Sequence, residues 1–173
     1  MLVAALSSGC RPARVSTAVS TQLNVSVAPA DSSESKTKTF QVTLSDPRGY
    51  QNLKDTRVLF NNAIDGRNAC YVTYDPVAET FGLMNDAGDH TEKLRLNAGG
   101  VLENEQCRLD TSSSFVNGFG NDLTLQLAVS FKSGFGGKKS IYVYAENKQG
   151  DSTGLQPQGQ VVVPKSFLKS TTQ

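Results

Sequence analysis

Residues 122–131, DLTLQLAVSF, place Leu123, Leu125, Leu127, Val129 and Phe131 at every second position. In an extended strand these five side chains share one face, whereas a helix would scatter them around its circumference. The pattern therefore demands a strand with one buried face. It recurs along the chain. KTFQVTLSD puts Phe40, Val42 and Leu44 on one side and Gln41 and Thr43 on the other. TRVLFNN offers Val58 and Phe60, ACYVTYD offers Cys70, Val72 and Tyr74, and TFGLMN offers Phe81 and Leu83. SIYVYAEN aligns Ile141, Val143 and Ala145. LNVSV, with Leu23, Val25 and Val27, reads as an edge strand, and GQVVVP as a last strand closed by Pro164. ENEQCRLD is strand-like around Cys107, with Leu109 on the same face.

Turn residues punctuate these segments. DPRG, residues 46–49, has its proline where a type I turn favours one, and Asp65-Gly66 marks another turn. No segment carries a helical period. Eight or nine short strands between Gly, Pro, Asn and Asp turns predict an all-β fold, an antiparallel β-sandwich, with a closed barrel as the alternative. The hydrophobic content of 38% suits sheets with one wet face and long polar loops. The chain divides into a leader remnant or linker (1–22), one sandwich domain (23–164) and a short tail (165–173).

The longest apolar run, MLVAAL, is far too short to span a membrane. LVAALSSGC resembles the end of a bacterial secretory signal with a lipobox, in which Cys10 would be lipidated. Ser7 stands where that motif prefers an aliphatic residue, and no basic segment precedes the run. An ordinary N-terminus with a chance cysteine is the alternative. Residues 10–36, rich in Ser, Thr, Ala and Pro, read as linker around the LNVSV strand. A net charge of +1 with scattered Lys and Arg gives no footprint for nucleic acid or an acidic membrane.

IYVYAENKQGDS resembles the penultimate strand and turn of fibronectin type III and related immunoglobulin-like modules. Ile141, Val143, Ala145, Asn147 and Gly150 follow that family's spacing, while Ile141 stands where the family carries its corner tyrosine. TFQVTLSDPRG, VLFNN, NACYVTYD and LMNDAG together resemble immunoglobulin-like modules of large bacterial secreted and surface proteins, over residues 23–164. These motifs are core and turn residues, so the resemblance speaks to fold more than to function.

Of the three cysteines, Cys70 and Cys107 remain if Cys10 belongs to a leader. Export implies an oxidising compartment, where such a pair is normally bridged. The expectation is a disulfide between neighbouring strands, worth about 3–4 kcal/mol on the chain-entropy account. The alternative is two buried thiols in a reduced protein. Two cysteines with no nearby histidine do not complete a zinc shell.

Catalytic constellations are scarce. His90, the only histidine, lies in the polar stretch NDAGDHTEK and reads as a solvated loop residue. There is no Gly-x-Ser-x-Gly elbow. Glu103 and Glu105 would face the same way if extended, a geometry open to glycosidase chemistry but more ordinary as a solvated edge. GGKKS lacks the spacing of a phosphate loop. Asn85, Asp86 and Asp89, with Glu92 beyond, supply oxygen ligands of the kind Ca²⁺ takes, although plain turns need the same residues.

Tyr142 and Tyr144 alternate with core positions and are expected to face outward, as is Tyr71 beside Cys70. Such tyrosines can form a platform for a sugar ring or peptide, or can simply pair across strands. DTSSSFVNGFGN, residues 110–121, reads as a long loop whose Phe115 and Phe119 either insert into a partner or fold back as plugs. The expected function is a non-enzymatic structural or adhesion module, self-associating or binding a protein through an edge strand or the N-terminal arm. The alternative is a polysaccharide-binding module using the tyrosines.

Overall fold

The computed structural model describes residues 22–28 and 37–165. The expectations for Cys10, for most of the linker and for residues 166–173 lie outside the described residues. The strands are β1 (Asn24–Ala28), β2 (Thr37–Ser45), β3 (Leu53–Asn61), β4 (Cys70–Asp75), β5 (Thr80–Met84), β6 (Thr91–Arg95), β7 (Val101–Glu103), β8 (Cys107–Phe119), β9 (Asp122–Phe131), β10 (Gly137–Asn147) and β11 (Gln156–Val163). Single 3₁₀ turns occur at Tyr50–Asn52 and Ser133–Phe135.

The strands form two antiparallel sheets packed face to face. One has five strands in the order β1-β2-β9-β8-β7 and the other six in the order β11-β10-β3-β4-β5-β6. Each central strand alternates as its sequence predicts. On β9, Leu123, Leu125, Leu127, Val129 and Phe131 are all buried. They pack with Phe40, Val42 and Leu44 of β2 against Val58, Phe60, Val72, Phe81, Ile141 and Val143 of the opposite sheet. An aromatic cluster closes one end of this core. The Phe40 and Phe60 rings lie 4.7 Å apart, Phe60 and Phe131 5.3 Å, and Phe135 stacks on Phe131 at 5.9 Å. Phe135 thus folds back as an end plug.

Three parts of the chain depart from the sequence expectation. Residues 91–95 form β6, an edge strand whose TEKLR sequence offers only Leu94 to the core side, too little apolar alternation to signal a strand. Three-residue β7 is too short to show a period. Residues 110–119 are not a loop but the greater part of β8. There the register against β9 shifts between Asp110 and Phe115. The bulge satisfies its own backbone. Asp110 accepts from Ser112 N (2.9 Å) and Ser113 N (3.2 Å). The Ser114 hydroxyl donates to Asp110 O (2.7 Å) and accepts from Ala128 N (2.9 Å). A Ser/Thr run that looks like a loop is here a strand bending over its own side-chain hydrogen bonds.

Candidate functional site

Cys70 opens β4 and Cys107 opens β8; both are fully buried, and they form a disulfide with a Cα–Cα distance of 5.6 Å. The pairing is the expected one, but the two strands are not neighbours. β4 belongs to the six-stranded sheet and β8 to the five-stranded sheet, so the bridge crosses the core. Both cysteines sit on inward faces, and in a sandwich inward faces meet across the layer rather than along it.

Asn104, 9% exposed, secures the same corner. Its amide nitrogen donates to Ala69 O and Met84 O, both at 2.9 Å. Its amide oxygen accepts from Gln106 N and Cys107 N, also at 2.9 Å. The side chain thereby ties the six-stranded sheet to the turn entering β8. Nothing local in LENEQC marks Asn104, because its partners are distant in sequence.

Tyr71, Tyr142 and Tyr144 share the outer face of the six-stranded sheet. Tyr142 pairs across β10–β3 with Leu59, which pairs across β3–β4 with Tyr71. Tyr71 is nevertheless buried, at 7% exposure. It forms a small outer cluster with Leu59 and Ala69, against which Met84, Tyr142 and Leu155 pack. Tyr144 lies under the Arg57 guanidinium, 5.0 Å from the ring centroid, and its hydroxyl donates to Glu146 (2.8 Å). Burial and that carboxylate push the Tyr144 hydroxyl above its usual range. Glu146 also pairs with Lys54 at 2.8 Å, a bond that holds its carboxyl below the usual range. The three rings are thus brought to one face, with Tyr71 covered and Tyr144 engaged.

Asn85, Asp86 and Asp89 do not converge. The Asn85 amide oxygen accepts from Gly88 N (3.0 Å) and Asp89 N (3.1 Å), and its nitrogen donates to Asp89 (2.8 Å). Asp86 turns the other way and accepts from Glu105 N (3.2 Å) and the Gln106 amide (3.2 Å). Glu92 is on exposed β6. Among the described residues no group of three or more His, Cys, Asp and Glu side chains is placed to hold a metal ion. Glu103 pairs with Lys132 at 2.9 Å, which keeps its carboxyl below the usual range. His90 is exposed, and its backbone closes the turn with Asn85.

A cleft of about 650 Å³ lies where the edge strands β1 and β11 face each other, and sequence reasoning missed it. Its floor is Asp46, 1% exposed. The Asp46 carboxylate accepts from Arg48 N (2.8 Å), the Asn52 amide (2.8 Å) and the Asn147 amide (3.1 Å). Burial raises the carboxyl, but the hydrogen bonds from Arg48, Asn52 and Asn147 and the Arg48 charge outweigh it and hold Asp46 below its usual range. Asn147 also donates to Asp151 (3.1 Å). The available signal was two separate turn motifs, SDPRG and ENKQGD, each of which reads locally as a turn and nothing more. One Asp46 oxygen closes the local turn at Arg48, and the other ties that turn to Asn52 ahead of β3 and to Asn147 at the end of β10, so this floor is structural.

No protein-family model matches the chain, and no curated protein matches its sequence.

Proposed function

We propose that this chain is a non-enzymatic, exported structural or adhesion module of immunoglobulin-like architecture, acting at a bacterial surface or outside the cell. The observation that carries this reading is the fully buried Cys70–Cys107 bridge across the core. A bridge of this kind belongs to oxidising compartments. The strand order adds support. Five strands ending β9-β8-β7 face a sheet ordered β11-β10-β3-β4-β5, with a further strand β6. Immunoglobulin variable-type sandwiches extend the same sheet by two strands. The present bridge joins other strands than the family's inter-sheet disulfide does. Cys10 would supply a lipid anchor.

The test is the state of the protein in its source cells. Fractionation and thiol alkylation without reduction should find it outside the cytoplasm, with Cys70 and Cys107 protected. Cytoplasmic protein with two alkylatable thiols would overturn the reading.

A polysaccharide-binding role is the second reading, supported by the shared face of Tyr71, Tyr142 and Tyr144. Tyr142→Ala and Tyr144→Ala should each weaken retention on an insoluble polysaccharide at least fivefold in affinity electrophoresis. Retention equal to wild type would remove this reading.

A further inference from the structure

An antiparallel edge strand turns every second N–H and C=O outward, and natural sheets blunt such edges. Three edges here are blunted. β6 carries Glu92, Lys93 and Arg95; β11 carries Pro157 and a register shift opposite Ile141/Tyr142; β1 has five residues. The fourth is different. β7 pairs only with Arg108–Asp110 of β8. Among the described residues, no strand pairs with residues 113–119 on the side away from β9. That segment, SSFVNGF, has no charge and no proline. It also bears Phe115 at 49% exposure and Phe119 at 83%.

The backbone is set for pairing. Gly120-Asn121 is a two-residue turn with Gly120 at φ 58°, closing the Phe119–Asp122 pair. Closure by such a turn makes Phe119–Asp122 a hydrogen-bonded pair, so by alternation Val116 and Gly118 direct their N–H and C=O to the open side. Beneath the edge is a cleft of about 410 Å³ whose lining includes Leu96, Val116, Leu123 and Val77, the last 68% exposed. Gly118 is required there, because a Cβ would lie 2.1 Å from the Tyr50 ring. Among the described residues, three of the five large apolar side chains that stand exposed are Phe115 and Phe119 on this strand and Val77 in the cleft beneath it.

We propose that residues 115–119 of β8 pair antiparallel with the same segment of a second copy, joining two five-stranded sheets across a twofold axis at Asn117. The sequence is self-complementary in this register. Phe115 lies opposite the partner's Phe119 in a close, non-hydrogen-bonded pair, and Val116 exchanges hydrogen bonds with the partner's Gly118. An uncharged segment has no electrostatic reason to prefer a different chain, and a twofold contact closes without propagating into fibres. The pairing goes beyond the export reading and does not depend on it: an intracellular dimer would sink export and leave the pairing intact.

Sedimentation velocity of the full oxidised chain over a concentration series tests the proposal. The wild type should show a monomer–dimer equilibrium. Phe115→Lys should raise the dimer dissociation constant at least tenfold, with an unchanged circular dichroism spectrum. The double variant Phe115→Lys/Phe119→Glu should restore dimerisation at low salt, because this register sets each new lysine against a new glutamate of the other copy. A wild type that stays monomeric throughout, a dimer indifferent to Phe115→Lys, or a double variant no better than the single one would each overturn it.

Discussion

Asn104 uses all of its hydrogen-bonding capacity on backbone next to both cysteines. Asn104→Ala should therefore cost about 2–4 kcal/mol in urea unfolding, since it leaves buried backbone groups without partners. Asn104→Asp should cost as much at pH 7, where a carboxylate would face two carbonyl oxygens, and less below about pH 4, where it protonates. Asp46 predicts the opposite pH response in the wild type. Its folded pKa is depressed, so its contribution is present above the unfolded value near pH 4 and is lost as pH falls through the folded value. Asp46→Asn should flatten the acid limb of unfolding below about pH 4 and lower neutral-pH stability by about 2 kcal/mol. Neither residue was legible as important in the sequence. Core residues such as Leu125 announce themselves through their neighbours at i±2, whereas Asn104 and Asp46 act through partners that only the fold brings near. The outward tyrosines were legible by alternation, but the cover that Met84 and Leu155 give Tyr71's cluster was not.

At the scale of the element, legibility followed apolar alternation. β2, β3, β4, β9 and β10 have a buried face and were readable. β6 has almost none, and β8 interrupts its alternation with a serine bulge, so a strand passed for a loop. The same contrast predicts how local stability is distributed. β9 and β3 lie inside their sheets with buried residues at alternate positions, whereas no residue of β1 is fully buried. Native-state hydrogen exchange should show amides of β9 and β3 opening only with global unfolding, and those of β1 and β6 opening at several kcal/mol less. Equal protection of β1 and β9 would show that the arm strand is an integral part of the core rather than a seal on its edge.

For the whole molecule, the two sheets are held by core packing and by one covalent cross-link. Replacing both Cys70 and Cys107 with alanine should lower stability by about 3–4 kcal/mol on the chain-entropy account, measured by urea unfolding against the oxidised protein. A loss below about 1 kcal/mol would mean that packing alone fixes the sheet pairing. The bridge spans a sequence separation of 37 residues, and the segment it encloses carries the rest of β4 together with β5, β6 and β7. A load applied through β1 and β11 would pass from Cys70 to Cys107 through the two sulfurs and bypass that segment, so the closed loop cannot pay out under tension. At about 3.4 Å per extended residue, roughly 120 Å of contour is withheld from any stretch of the oxidised chain and released on reduction. Under tension the domain is therefore a shorter, stiffer tether than its residue count implies, with a reserve of length that only a reductant can unlock.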